Sequence, residues 1–81
     1  MHKNRAEAII LSLAGQISAL RKKLGISHET LANKAGVTRA AVSFIESGKR
    51  KPTLLILLKL AHAMDTELSV LLRKAEKLQS D

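Results

Sequence analysis

An all-α fold, a compact five-helix bundle, is the fold class this sequence predicts, and three features predict it. Apolar residues recur at steps of three and four in successive stretches, the spacing of one helix face. Polar residues that cap helix starts alternate along the chain with glycines that end helices. One Pro and four Gly in 81 residues are too few for a β-rich or disordered chain, and no stretch has strand-type alternation. The length predicts a single domain, 1–81. Its core must come from Leu, Ile, Val and Ala, because Phe44 is the one aromatic residue.

The first helix is expected from about Asn4 to Leu24. Asn4 and Glu7 have the spacing of a capping pair. Ala6, Ile9, Leu13, Ile17, Leu20 and Leu24 form its inward stripe, and Gly25 ends it. Leu11 falls on the opposite face, unexplained by this stripe. The second helix starts at Ser27 as N-cap and runs to about Ala35, with Leu31, Ala32 and Ala35 inward and Gly36 as the turn. Thr38 caps a third helix over about Arg39 to Ser47. On a helical wheel Ala41, Val42 and Ile45 share one of its faces, and Arg39, Ala40, Ser43, Phe44 and Ser47 the other.

Gly48 stops that helix, and Lys49-Arg50-Lys51-Pro52 is a basic loop. Thr53 caps a fourth helix over about Leu54 to Met64. Leu54, Leu57, Leu58, Leu60, Ala61 and Met64 are expected inward, with Leu55, Ile56, Lys59, His62 and Ala63 on the far side. The fifth helix begins near Thr66 or Glu67 and runs to about Lys77. Val70 stands across from its inward residues Leu68, Leu71 and Leu72. Leu55 and Ile56, side by side on an outer face, would leave an apolar patch on a monomer. A homodimer interface is therefore expected at Leu55, Ile56, Lys59, His62, Ala63 and Val70.

The net charge is +7, and it is concentrated. Residues 21–51 hold eight basic residues (Arg21, Lys22, Lys23, Lys34, Arg39, Lys49, Arg50 and Lys51) against Glu29 and Glu46, a balance of +6. Such a field attracts polyanions, and a phosphate backbone is the commonest. The chain has no Cys, which excludes disulfides and thiolate metal sites and fits a reducing cytoplasm. His2-Lys3-Asn4-Arg5 before Ile9-Ile10-Leu11 resembles a signal peptide only faintly, since Glu7 and Ser12 interrupt it. The run Leu54-Leu55-Ile56-Leu57-Leu58 is far short of a membrane span. A cytoplasmic protein with no membrane partner is expected. An enzyme is not: His2, His28 and His62 are scattered without metal-ligand spacing, and no phosphate-cradling or nucleophile motif is present. No cofactor and no small-molecule ligand are expected.

Residues 28–48 read H-E-T-L-A-N-K-A-G-V-T-R-A-A-V-S-F-I-E-S-G. A small Ala32 lets two helices cross closely, Gly36 supplies a tight turn, and Val42 and Ile45 anchor the second helix while its other face stays free. Leu31, Ala32, Gly36, Val37, Thr38, Val42, Ser43, Ile45, Glu46 and Gly48 carry the pattern. It is flanked by Leu13, Ile17, Leu20-Arg21 and Gly25, and by Pro52, Leu57, Leu60-Ala61, Leu68-Ser69 and Leu71-Leu72. In order, spacing and punctuation this stretch, about 13–72, resembles the phage-repressor-like (Cro/repressor, XRE-type) helix-turn-helix DNA-binding family.

The resemblance implies a lambda-repressor-like domain that regulates transcription by binding double-stranded DNA. It would read a palindromic operator as a dimer, with the third helix in the major groove. Arg39, Ala40, Ser43 and Phe44 would meet base edges: Arg39 has a fork suited to guanine, and Phe44 would either touch a thymine methyl or pack under the following loop. Ser27, His28, Ser47, Lys49, Arg50 and Lys51 would meet phosphates, with His28 where the family often has a backbone-gripping glutamine. An ion pair between Arg21 and Glu46 is likewise implied. The competing reading is an antitoxin-type interaction module that binds a partner protein and autoregulates its operon, since such proteins use the same fold. The few residues expected after the fifth helix favour a stand-alone regulator, of which restriction–modification controller proteins are one kind.

Overall fold

Asn4, Ser27, Thr38 and Thr53 each turn a side-chain oxygen onto a backbone N–H of the helix that follows: Ala6, Thr30, Ala41 and Ile56 respectively. They open the first four of five helices: α1 (Arg5–Lys23), α2 (His28–Ala35), α3 (Arg39–Glu46), α4 (Leu54–Ala63) and α5 (Leu68–Leu78). A computed structural model describes residues 4–79. Residues 1–3 and 80–81, with His2 and Lys3 of the basic start, lie outside the described residues. No strand and no helix long and apolar enough to cross a membrane occurs among the described residues.

The long α1 packs along α5 and touches α3, while α2 packs on α3 and α4, and α4 on α5. Leu13, Ile17, Leu31, Val42, Ile45 and Leu60 are fully buried at the centre. Burying one such side chain is worth about 1.5–3 kcal/mol. The buried faces of α2 and α3 are those the sequence predicts: Leu31, Ala32 and Ala35, then Ala41, Val42 and Ile45.

Two inward faces differ from expectation. In α1 the buried line is Leu13, Ala14, Ile17 and Arg21, while Ala6 and Leu24 are exposed. In α4 the buried residues are Leu57, Leu60 and Ala61, with Met64 behind them. Leu54 is 66% and Leu55 61% exposed, Leu58 lies open beside them, and Ile56 and Ala63 are half-buried against the core. On a wheel of 3.6 residues per turn, Leu54, Leu55, Leu58, Lys59 and His62 then fall on one continuous outer arc.

Helices α1, α3 and α4 end in the same hydrogen-bond pattern. After α3, Gly48 N–H donates to Ile45 O at 3.2 Å and Lys49 N–H to Phe44 O at 2.9 Å, a Schellman motif. Gly48 has φ +78°, and a Cβ there would lie 3.0 Å from Leu11 Cδ2. Leu11, which the helix stripe leaves out, is therefore the side chain against which the loop after α3 closes. After α4 the left-handed position is held by Asp65 at φ +55°, with Asp65 N–H donating to His62 O and Thr66 N–H to Ala61 O, each at 3.1 Å.

A left-handed L-residue costs roughly 1–2 kcal/mol, offset in part by the greater freedom of an unfolded glycine, about 0.4–1 kcal/mol. Asp65→Gly is accordingly expected to raise stability by about 0.5–1 kcal/mol, and the β-branched Asp65→Val to lower it. Thermal melting of the two variants checks this: a Val variant that melts at or above the Gly variant contradicts it.

Candidate nucleic-acid interface

The amphipathic division of α3 builds the candidate surface. Ala41, Val42 and Ile45 hold the helix down, so Arg39, Ala40, Phe44 and Ser47 are exposed and Ser43 is half-exposed beside them. Phe44 is 45% exposed. It does not lie buried under the following loop; its carbonyl, rather than its ring, engages that loop. Phe44 O accepts from Lys49 N–H, from Arg50 N–H at 3.2 Å and from Ser47 Oγ at 3.2 Å. These bonds fold Lys49, Arg50 and Lys51 back beside the end of α3, all three side chains exposed.

At the other end of α3, Arg39 shares a shallow cleft with Arg21, Ser27, His28 and Glu29, which brings it to the start of α2. Ser27 Oγ caps α2 by accepting from Thr30 N–H at 3.0 Å and also lies 3.0 Å from Thr30 Oγ1. The Ser47 hydroxyl proton points to Phe44 O, so a phosphate oxygen would have to draw it away.

Behind this surface Arg21 and Glu46 join α1 to α3. Arg21 Nε donates to Glu46 Oε2 at 2.7 Å and Nη2 to Oε1 at 3.0 Å, a bidentate pair whose side chains are 11% and 6% exposed. Arg21 Nη1 also donates to Ile26 O at 2.9 Å, which ties the α1–α2 turn to the pair. The hydrogen bond to Glu46 raises the Arg21 pKa above its ordinary value against the opposing effect of burial. Burial pushes the Glu46 carboxyl up, but hydrogen bonds from Arg21, His28 and Ser18, with the Arg21 charge, outweigh it and hold Glu46 below the usual carboxylate range.

A family model described as helix-turn-helix (HTH_3) matches residues 17–71, more than half of the chain. The chain belongs to this helix-turn-helix family. An HTH-type transcriptional regulator of Methanothermobacter thermautotrophicus is 38% identical over 47 residues, 58% of this chain and 68% of that protein. The HTH-type transcriptional regulator YgzD of Bacillus subtilis is 36% identical over 56 residues, 69% of this chain and 85% of that one. Among solved structures, the restriction–modification controller protein C.AhdI from Aeromonas hydrophila superposes with a TM-score of 0.73 at 37% identity, over 76% of this chain and 94% of that one. An HTH_3 family transcriptional regulator from Vibrio cholerae superposes with a TM-score of 0.78 at 30% identity, over 89% of this chain and 41% of that one. The family is one of transcriptional regulators rather than catalysts, and over the matched residues these neighbours share its repressor-type fold.

The helix-turn-helix core thus has the exposed face of α3, the basic loop that follows it and, behind them, a buried ion pair that joins α1 to α3. Three contacts lie outside the sequence reading. His28 is turned inward as well as outward, with Nε2 3.1 Å from Glu46 Oε1. Glu7, read as half of a capping pair, reaches instead to Lys51 Nζ at 3.0 Å while Asn4 caps α1 alone. Leu11 packs at Gly48. Of the residues read as a dimer surface, Leu55, Lys59, His62 and Val70 are exposed, and Ile56 and Ala63 turn partly to the core.

Proposed function

We propose that this helix-turn-helix protein is a sequence-specific regulator that reads a palindromic operator in double-stranded DNA as a two-fold dimer, with α3 in the major groove. The division of α3 supports this reading most. Three buried residues fix the helix while Arg39, Ala40, Ser43 and Phe44 stand clear, and Arg39 has no ion-pair partner among the described residues. Arg39 supplies the bidentate donor for a guanine, Ser43 a polar contact to a base edge, and Ala40 and Phe44 apolar contact with thymine methyls. Lys49, Arg50 and Lys51 on one side, and Ser27 and His28 at the positive end of α2 on the other, bracket α3 with phosphate contacts.

Selection of bound duplexes from a random DNA pool tests the reading. A palindrome with half-sites about 34 Å apart is the expected result; no enriched sequence, or an asymmetric one, overturns it. On the selected site Arg39→Ala is expected to cost about 1–3 kcal/mol and to relax the preference at one position. Lys49→Ala is expected to weaken all sequences alike and to flatten the dependence of log affinity on log salt by about 0.9. Binding titrations on selected and random duplexes compare the two variants, and an equal loss on both DNAs for Arg39→Ala removes its base-reading role.

A further inference from the structure

We propose that Glu7 is an intramolecular counter-ion for Lys51, so that the first turns of α1 act as a brake on binding of the basic loop to phosphate. The inference rests on the phosphate role proposed for that loop. Glu7 Oε2 lies 3.0 Å from Lys51 Nζ across 44 positions of sequence. Among the described residues it is the one carboxylate paired with the Lys49-Arg50-Lys51 loop. Leu11 of α1 reaches the Gly48 backbone and brings the start of α1 up to the loop, and an open groove of about 380 Å³ lies between them, lined by Ile10, Leu11 and Ala14 on one side and Ile45, Gly48 and Pro52 on the other. Glu7 stands at the rim of that groove with Arg50 and Lys51.

The segment that carries Glu7 and Leu11, Arg5 to Gln16, precedes the family-matched residues 17–71. The Glu7 carboxylate competes with a phosphate for the Lys51 ammonium and repels the phosphate by its own charge. Such a rim charge acts mainly on association and on salt dependence. Both partners are exposed, so the brake is a modest one.

The experiment measures affinity for a random-sequence duplex against salt for wild type, Glu7→Gln, and Glu67→Gln as a charge-matched control at the α4–α5 turn. Salt elution from heparin resin gives a polyanion readout that does not depend on the protein reading DNA. Glu7→Gln is expected to tighten duplex binding about two- to fivefold at low salt, the range set by exposed ion pairs, and to steepen the salt slope by up to about 0.9. It is also expected to elute later than the control, and on a Lys51→Ala background Glu7→Gln should change neither readout beyond what the control does. Unchanged or weaker binding by Glu7→Gln, an equal gain in Glu67→Gln, or a gain that survives Lys51→Ala overturns the proposal. Failure of the duplex assay for every variant would instead strike the DNA-binding reading, with the heparin elution order still deciding the Glu7–Lys51 brake.

Discussion

Arg21→Ala is expected to lower the melting temperature by on the order of 15 °C, from a loss of about 3 kcal/mol in a domain of this size. The substitution leaves the Glu46 carboxylate, 6% exposed, without its bidentate partner and strips Ile26 O of its donor. Removing one partner of a buried pair costs more than the pair contributes, because the remaining charge has been taken from water and keeps only the hydrogen bonds from His28 and Ser18 to offset it. A domain of this length has roughly 4–12 kcal/mol in total, so the loss takes a large fraction. Glu29→Ala, an exposed residue of α2, is the comparison and should change melting little. Equal melting curves for the two variants would remove the structural role of the pair.

Acid should reveal the same pair. Glu46 titrates below its ordinary value in the folded chain, so its contribution is fully present above the unfolded carboxylate pKa of about 4.3 and is lost as pH falls through the lowered folded value. Arg21, raised, keeps its charge throughout that range. Melting from about pH 6 down to about pH 3 should therefore fall more steeply for wild type than for Glu46→Gln, which has no carboxyl to protonate.

What was legible in the sequence follows from how local each determinant is. Ser27, Thr38 and Thr53 could be placed because a cap bonds within three residues of itself. The faces of α2 and α3 could be placed because each mixes apolar and polar residues, which fixes the phase of the periodicity. In α4 the phase is weak, marked only by Lys59 and His62. The run Leu54-Leu55-Ile56-Leu57-Leu58 is apolar in every direction, so two polar residues leave the edges of the apolar face undefined, and the packing of α4 on α2 and α5 decides which of these side chains face in. That is why Leu54 and Leu58 lie outside and Ile56 and Ala63 turn inward. Glu7, Leu11 and His28 defeated local reading for another reason: their partners Lys51, Gly48 and Glu46 lie far along the chain. The Arg21–Glu46 pair likewise spans 25 positions, and only the family resemblance implies it.

The corrected phase of α4 changes the dimer expected from the sequence and sharpens its test. Leu54, Leu55 and Leu58 now stand together on the outer arc with Lys59 and His62, and a two-fold axis through that arc would lay each leucine against the partner's patch. Burying such side chains contributes about 1.5–3 kcal/mol each, so four from Leu54 and Leu55 of two protomers would dominate the association. Leu54→Asp with Leu55→Asp should therefore give a monomer. It should remain folded: both residues are exposed, both sit in the first turn of α4 where a carboxylate favours the helix dipole, and the Thr53 cap to Ile56 N–H is untouched. Ile56→Asp is unsuitable, because its side chain packs partly on the core. A monomer holds one half-site at a time, so operator affinity should fall by about 100-fold or more. The neutral pair Leu54→Ser with Leu55→Ser separates loss of the dimer from repulsion of phosphate by new carboxylates, and it should lose affinity nearly as much. Sedimentation equilibrium at micromolar concentration supplies the masses: a monomeric wild type, or a dimeric Asp double variant, would exclude this face as the interface.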